Sequence, residues 1–263
     1  MGVIIVTGAT GAIGGAAVQM LRQRGHEVIG TSRRPDSQGW YTLDVSRPDS
    51  IVAFVQKLTE EGIRLDGLLN NAGTLQREYH VTPDGFELVT ATNYLGTYLL
   101  TRLLLPLMNR GAHIVCTTSL SCHVAHLGKD LFDTSAHSYH QITAYANSKM
   151  AVTLFAQELH RRHGDRLHVN LTDPGIVNSR MIHLDRWYDP VADILFRPFT
   201  KSPQQGALPA VNALTSPCSN QLFRGNRHQS IPRHWQQPNL AAWLWDETER
   251  QLKQSKHHLS MQP

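Results

Sequence analysis

The sequence predicts a single-domain α/β fold of the doubly wound Rossmann type, with a parallel sheet and helices on both of its faces. Three observations predict it. Strand and helix patterns alternate along the chain, the first strand runs into a glycine-rich turn, and the 263 residues are enough for one large core. Alternation of this kind is typical of parallel strands that are joined by helical crossovers.

Six short apolar or β-branched runs are predicted as strands, because turn residues or polar residues bound each of them. They cover residues 3–7, 27–32, 40–45, 65–70, 112–119 and 167–172. Helical spacing of apolar residues predicts helices between them, and Gly25 follows the first helix at the position of a C-terminal cap. The predicted helices cover residues 13–24, 49–61, 93–109 and 144–162. The proline-rich region near residues 190–209 is interpreted as an insertion.

Composition argues against several classes of protein. The three cysteines, Cys116, Cys122 and Cys218, show no C-x-x-C spacing, so we expect neither a disulfide framework nor a cysteine metal site. The net charge of +4 is spread thinly, and no basic stripe predicts nucleic-acid binding. No apolar run approaches the ~18 residues of a membrane span, and the glycine turn follows closely on the first residue. We therefore expect a cytoplasmic protein without a transmembrane segment or signal peptide.

The stretch "VTGATGAIGG" is the first candidate for a binding site. A strand that turns through glycines into a helix directs backbone N–H groups and the positive helix end to one point, which suits a pyrophosphate. Gly8 allows the tight turn, Gly11 or its neighbour allows the close approach of phosphate, and Gly14 allows the helix to pack on the strand. A plain glycine-rich turn has the same pattern, but the flanking strand and helix favour a nucleotide site.

The end of the second predicted strand bears on the choice of cofactor. It reads "GTSRRP", with Ser32 at the position where NAD-specific sites carry an acid. Arg33 and Arg34 follow and could bind a 2′-phosphate, so NADP(H) is favoured over NAD(H). The alternative is a pair of solvated arginines in a turn before Pro35.

Four further motifs stand in order at predicted strand ends or in a helix: "NNAG", "TTSLS", "YANSK" and "DPGIVNS". With the glycine turn they resemble the short-chain dehydrogenase/reductase family over residues 3–252. Segments such as "TNYLGTYLLTRLLLPLM" and "YANSKMAVTLFAQELHRR" are most similar to its retinol-dehydrogenase-like branch. Two positions depart from the pattern. Ala12 replaces a glycine of the family's T-G-x-x-x-G-x-G, and Asp173 stands where that branch often has a histidine.

The resemblance implies four catalytic residues, Asn93, Ser119, Tyr145 and Lys149. Asp44 and Val45 match positions that contact adenine, and Asn93 matches the position that joins a relay water. With the glycine turn and the two arginines, the expected cofactor-binding residues are Gly8, Thr10, Gly11, Ala12, Ile13, Gly14, Arg33, Arg34, Asp44, Val45, Asn71, Ala72, Gly73, Tyr145, Lys149, Pro174, Gly175, Val177 and Ser179.

The chemistry of carbonyl reduction explains why these residue types suit the reaction. Hydride addition places negative charge on oxygen, so the site needs a proton donor and a hydrogen-bond donor at that oxygen. Tyr145 and Lys149 are four residues apart and share a helix face. We expect the ammonium to lower the pKa of the tyrosine from ~10 toward neutral and to hold the nicotinamide ribose. Ser119 would polarise the substrate oxygen.

Each assignment has an alternative. Tyr145 and Lys149 could form an ordinary surface pair, Asn93 could be a helix N-cap, and Ser121 competes with Ser119. The position of Ser119 in the strand-end motif favours it over Ser121.

Other aromatic and imidazole side chains receive structural interpretations. His123, His126, His137 and His140 lack a metal-ligand spacing and are interpreted as loop residues, so no metal is expected. The tryptophans Trp235, Trp243 and Trp245 are expected to pack the last helix, near residues 239–254, onto the core.

Two functional hypotheses remain. The first is an NADP-dependent oxidoreductase that acts on a small apolar alcohol, aldehyde or ketone, with Tyr145 as acid and base. The second is a catalytically idle dinucleotide-binding sensor or scaffold, and retention of both Tyr145 and Lys149 favours the enzyme. Residues 180–200 are expected to form a substrate lid, with a fixed amphipathic helix as the alternative. A homo-oligomer is one option for its assembly.

Overall fold

The protein contains a mostly parallel sheet with helices on both faces. The computed structural model describes residues 1–34, 40–132, 136–177 and 201–254. Within them, eight strands lie in the order β3-β2-β1-β4-β5-β6-β7-β8. Neighbouring strands are parallel except for the antiparallel pair β7–β8. The predicted fold class is confirmed.

The strands follow the predicted order, with two additional strands at the end. The bounds are β1 Val3–Val6, β2 Glu27–Ser32, β3 Tyr41–Thr42, β4 Leu65–Asn70, β5 Met108–Thr117, β6 His168–Asp173, β7 Gln221–Arg224 and β8 Arg227–Ser230.

Seven α-helices lie within the described residues. They are α1 Ala12–Gln23, α2 Pro48–Glu60, α3 Leu88–Thr90, α4 Gly96–Leu104, α5 Gln141–His163, α6 Pro203–Leu214 and α7 Pro238–Gln254. A π-helical segment, Ala91–Leu95, joins α3 to α4 without a break, and a short 3₁₀ helix, Leu120–Val124, follows β5.

Two predicted elements are shorter than expected. The third strand stops at Thr42 because the Asp44 side chain accepts the N–H of Ser46 at 2.9 Å and turns the chain. The predicted helix 93–109 ends its α-helical part at Leu104. A 3₁₀ turn that contains Pro106 follows, since proline cannot donate the next helical hydrogen bond.

Helix α6 and the β7–β8 hairpin were not predicted from the sequence. Helix α6 begins within the region that was interpreted as an insertion, which is wrong for residues 203–209. Its start carried a readable signal, a capping box between Ser202 and Gln205 with Pro203 in the first turn. The hairpin turns at Gly225, whose φ of 58° suits a tight two-residue turn.

Alternate residues along the strands face two separate cores. Ile5, Leu68 and Ile114 belong to a cluster with α2, α4, α5 and α7, whereas their neighbours Ile4 and Leu69 pack with α1 and α6. Trp235 and Trp245 are buried in the first cluster and Trp243 packs against it, as predicted for the last helix. With both faces covered, the site must lie at an edge of the sheet or at the ends of its strands.

A pair of stacked histidines connects β5 and β6 under helix α6. His113 and His168 are partners across the two strands, and their ring centroids are 4.7 Å apart. Burial, together with the neighbouring His168, lowers the pKa of His113 to about 4, although a hydrogen bond to the backbone of Ala213 opposes this shift. His113 is therefore neutral in the folded protein near neutral pH.

Because His113 is neutral in the folded protein, we expect the protein to become less stable in acid. Between pH ~6.5, the ordinary pKa of histidine, and pH 4, the unfolded chain binds a proton at residue 113 and the folded chain does not. The free energy of unfolding should therefore fall across this window, and less steeply in His113→Asn. Urea unfolding at pH 7, 6, 5 and 4 measures this difference, and parallel curves for the two proteins would contradict it.

Candidate active site

The glycine turn and the N-N-A-G segment are held together by Thr7, which the sequence analysis did not single out. The Thr7 hydroxyl donates to the Leu69 carbonyl at 3.2 Å and accepts the N–H groups of Asn71 and Ala72, each at 2.9 Å. The Asn71 amide in turn donates to the Thr7 carbonyl at 2.9 Å. The carboxyl ends of β1 and β4 are thereby fixed against each other.

The glycine turn has the form that a pyrophosphate needs. Gly8 has a φ of 68°, and a Cβ added to Gly14 would lie 2.2 Å from the Gly8 carbonyl oxygen. Gly11 is the N-cap of α1 and has no side chain to cap it, and the first turn of the helix carries no acidic residue. The helix therefore presents its positive end without a competing anion. The turn fits a dinucleotide even though Ala12 replaces a glycine.

The rest of the turn is open to solvent on the side where a ligand would approach. Thr10, Gly11 and Ala12 are exposed, and Ile13 is half-buried. Ala12 thus stands outside the tight packing between Gly8 and Gly14, which explains how the departure from the family pattern is accommodated.

The residues expected at the adenosine end lie at the ends of β2 and β3. Arg33 and Arg34 are exposed directly after the buried Ser32. The Leu43 N–H donates to the Ser32 carbonyl at 2.9 Å, which brings Asp44 and Val45 to the same edge of the sheet. One oxygen of the Asp44 carboxylate is already occupied by the Ser46 hydroxyl at 2.7 Å.

Asn93 lies inside the π-helical segment, so the alternative interpretation as an N-cap is wrong; Glu87 caps this helix instead. Its amide donates to the Ser148 hydroxyl at 2.9 Å and to the Thr74 carbonyl at 3.0 Å, while its oxygen accepts the Thr74 N–H at 2.7 Å. π-Helical turns are frequent at functional sites because they redirect one side chain out of the helical pattern.

Three of the four expected catalytic residues meet beyond the end of β5. The Ser119 side chain lies near enough to Tyr145 to act on its pKa, and the Lys149 Nζ lies 5.8 Å from the centroid of the Tyr145 ring. Lys149 is buried and donates to the Thr117 carbonyl at 2.9 Å. The Ser121 hydroxyl is buried without a partner in the described part of the chain.

Gly73 connects the fourth residue to this group. A Cβ at Gly73 would lie 3.2 Å from Asn93 Oδ1 and 3.5 Å from Lys149 Nζ. Asn93, Lys149 and the end of the N-N-A-G segment are therefore neighbours. Because glycine has no side chain, the backbone at residue 73 can lie close to both Asn93 and Lys149.

The protonation of the pair differs from the expectation. Burial raises the pKa of Tyr145 to about 12, and the hydrogen bond from Ser119 offsets only part of this effect. Burial also lowers the pKa of Lys149 to about 8. The expectation that the ammonium brings the tyrosine toward neutral is wrong for the protein alone. At neutral pH Tyr145 holds its proton and Lys149 is mostly charged.

The segment after β6 forms the other wall of the site. Gly175 has a φ of 73°, and its N–H donates to the Asp173 carboxylate at 2.8 Å. Pro174 accepts a hydrogen bond from the Lys201 Nζ at 3.2 Å, and the buried Val177 pairs with Lys201 in a parallel bridge. Ser179 and the expected lid, residues 180–200, lie outside the described residues.

The comparisons with known proteins agree with this geometry. The sequence pattern of the short chain dehydrogenase family matches residues 2–187, and the chain belongs to that family. Its members are oxidoreductases that bind a nicotinamide dinucleotide.

The predicted resemblance to the retinol-dehydrogenase-like branch is also confirmed. Human retinol dehydrogenase 14 is 35% identical over 217 residues, which cover 79% of this chain and 64% of that protein. Human retinol dehydrogenase 13 is 30% identical over 275 residues, with 94% and 83% covered.

Two solved structures support the fold. An uncharacterized protein from Mycobacterium paratuberculosis is 26% identical with a TM-score of 0.76, and the match covers 96% of this chain and 94% of that one. The 3-alpha-hydroxysteroid dehydrogenase from Pseudomonas sp. B-0831, complexed with NADH, is 25% identical with a TM-score of 0.62, and the match covers 82% and 90%.

Two other kinds of site are absent from the residues that the structure describes. None of their helices has the length and apolar character needed to cross a membrane. His123 and His234 form a hydrogen-bonded pair at 2.8 Å on the surface, and no third metal-binding side chain joins them in the described ranges.

We expect the buried Lys149 to lower the stability of the fold although the proposed reaction needs it. Its ammonium has a single described hydrogen bond, to a neutral carbonyl, so burial of the charge costs free energy. Lys149→Met, which replaces the ammonium by an unbranched apolar side chain one heavy atom shorter, should raise the free energy of unfolding by ~1 to 3 kcal/mol at pH 7 while it removes cofactor-dependent turnover.

Urea unfolding measures the first effect, and Lys253→Met, at an exposed position of α7, serves as the control. A Lys149→Met protein that is less stable than the parent would show that the hydrogen bond to Thr117 outweighs the cost of burying the charge.

Proposed function

We propose that the protein is an NADP(H)-dependent oxidoreductase that transfers hydride between the nicotinamide and the carbonyl or alcohol carbon of a small apolar molecule. One observation carries the proposal. Ser119 and Tyr145 lie next to each other beside the buried Lys149, at the same carboxyl ends of the parallel strands as an uncapped glycine turn. The kinship with retinol dehydrogenases is consistent with an apolar alcohol or aldehyde as substrate.

The residues present would hold the cofactor across the carboxyl ends of the parallel strands. The glycine turn would bind the pyrophosphate, Asp44 and Val45 the adenine, and Arg33 with Arg34 the 2′-phosphate. Asn71–Gly73 and Pro174–Val177 would line the nicotinamide half, and Lys149 would bind the ribose. When bound, the cofactor supplies the hydride for reduction or accepts it in oxidation.

The protein's own part in the reaction is to hold the oxygen and to move one proton. The Ser119 hydroxyl donates a hydrogen bond to the substrate oxygen, and the proton on Tyr145 Oη moves to that oxygen as negative charge develops there. Burial raises the pKa of Tyr145 to about 12, so the phenol is protonated at neutral pH and is ready for the reductive direction.

Lys149 and Asn93 support this proton transfer. The ammonium of Lys149 faces the Tyr145 ring and stabilises the phenolate that remains after the proton has left. Asn93, fixed by Thr74 and Ser148, is proposed to join the proton relay that recharges the tyrosine.

The apolar character of the substrate has a local support. Leu120, Ile142 and Ile176 are 42%, 58% and 62% exposed, and they belong to the few large apolar side chains that the described surface exposes. Each lies within three residues of Ser119, Tyr145 or Gly175. Exposed apolar side chains in the segments that carry the candidate site suit an apolar ligand.

Tyr145→Phe tests the catalytic assignment. Turnover of NADPH with a panel of aldehydes and ketones, or of NADP with alcohols, should fall by about 10² to 10⁴, since only the proton donor is lost. NADPH affinity, measured by fluorescence, should change little. Tyr41→Phe, which removes a surface hydroxyl bound to Glu61, is the control. Substantial residual turnover in Tyr145→Phe would contradict the role of this residue.

The preference for NADP is tested separately at the arginines. Replacement of Arg33 and Arg34 by glutamine should weaken NADPH binding by about 1.5 to 3 kcal/mol for each charge-assisted hydrogen bond that is lost, and should leave NADH binding nearly unchanged. Arg250→Gln on α7 controls for the general change of charge. Equal losses for the two cofactors would rule out a 2′-phosphate contact.

A further inference from the structure

Asp173 is a buried carboxylate at the edge of the candidate site that the proposed mechanism does not use. It ends β6 and is 2% exposed. One carboxylate oxygen accepts the Gly175 N–H at 2.8 Å, and the other lies 2.9 Å from the Arg224 Nη2 on β7. This second contact lacks hydrogen-bond geometry, so Oδ2 forms an ion pair and still has room to accept a hydrogen bond.

The backbone places this carboxylate next to the strand residue that anchors the Lys149 ammonium. Thr172 pairs with Thr117 across β5 and β6, and the Thr172 carbonyl accepts the N–H of Thr118 at 2.9 Å. Thr117 is the residue whose carbonyl accepts the Lys149 ammonium. Asp173 is therefore the last residue of the strand that lies beside the anchor of Lys149.

We propose that Asp173, held by Arg224, is a positioning residue for the proposed reaction: it fixes the Pro174–Gly175 turn and keeps a negative charge behind Tyr145 and Lys149. The inference rests on the proposed function. It assigns a role to the departure from the branch pattern, because a neutral histidine at this position would not supply the charge.

The charge has the same effect on both catalytic groups. Burial is the largest influence on both groups: it raises the pKa of Tyr145 and lowers that of Lys149. When ionised, Cys122 raises both pKa values and Cys116 that of Lys149, and the Asp173 carboxylate acts in the same direction with a smaller effect. Both protons needed for carbonyl reduction are thus retained to higher pH. A neutral Lys149 would lose its charge interactions with the tyrosine and with the ribose.

Several other groups share this environment. Arg224 faces Asp173 from β7, and Arg227 lies opposite Arg224 on β8. The Lys201 Nζ reaches the Pro174 carbonyl at 3.2 Å. The thiols Cys116 and Cys122 are buried near Lys149, where burial raises their pKa values, so both are neutral at pH 7 to 8. Asp173 is therefore the anionic side chain among these groups.

The test compares alkaline pH profiles. In the parent protein, NADPH-dependent reduction and NADPH affinity should both decline as pH rises through about 8, where Lys149 loses its proton. Asp173→Asn keeps an oxygen for the Gly175 N–H and removes the charge. It should shift the midpoint of both declines downward by up to about one pH unit.

A second variant tests the same charge in the opposite direction. Arg224→Gln leaves Asp173 in place and removes the cation that opposes it, so the midpoint should move upward. This variant also serves if Asp173→Asn does not fold. Glu158→Gln is the matched control, because Glu158 is another carboxylate with 2% exposure, paired with Arg161 and Arg162 at the far end of α5. Its profile should match that of the parent.

Different outcomes separate the inference from the function on which it rests. Opposite shifts in the two variants support the inference. Loss of activity or affinity in Asp173→Asn by the same factor at every pH would overturn it, since a purely structural residue would act in that way. If the parent binds NADPH but turns over no carbonyl compound, the proposed enzyme fails while the affinity profile still tests the charge. If the parent binds no dinucleotide, both fail.

Discussion

The arrangement of the candidate site depends on one buried hydroxyl. Thr7 Oγ1 accepts the N–H groups of the consecutive residues Asn71 and Ala72 and donates to the carbonyl of Leu69 in β4. It therefore fixes the carboxyl ends of β1 and β4 relative to each other. The glycine turn follows one strand and the wall beside Asn93 and Lys149 follows the other. The distance between the phosphate-binding end and the proton-donating end of the site is thereby set by a side chain that need not touch any ligand.

Buried hydroxyl groups also anchor α5, the helix that carries Tyr145 and Lys149. The Thr153 hydroxyl donates to the Lys149 carbonyl at 2.9 Å and meets the Thr118 hydroxyl at 2.6 Å, just beyond the end of β5. Together with the bond from the Lys149 ammonium to Thr117, it ties one turn of α5 to the strand end. Hydroxyl groups are well suited to this task because each can donate and accept in a small volume. The free energy spent on burying the ammonium is offset by such packing elsewhere in the core.

Much of the fold and of the site could be predicted from the sequence. The strands at residues 27–32 and 65–70 were predicted to the residue, since turn residues bound both and both are buried in the sheet. The motif order predicted which residues would gather at the carboxyl edge. The contacts of Asn93 could not be predicted, because the π-helical segment leaves no signal in apolar spacing. The raised pKa of Tyr145 was missed for a physical reason: the i,i+4 spacing shows that Lys149 is near but says nothing about how deeply both groups are buried.

The π-helical segment Ala91–Leu95 constrains how this chain can change in length. It carries Asn93 toward the site, while Tyr94 and Tyr98 on the same helix remain fully buried in the core. A π-helical turn closes i→i+5 hydrogen bonds, so it holds one residue more than an α-helical turn. A one-residue deletion inside this segment would be absorbed by a return to α-helical geometry, which keeps the flanking helices in register but removes the extra residue that presents Asn93 to the site. A one-residue deletion elsewhere in the helix would instead rotate its aromatic face by roughly 100° relative to the core.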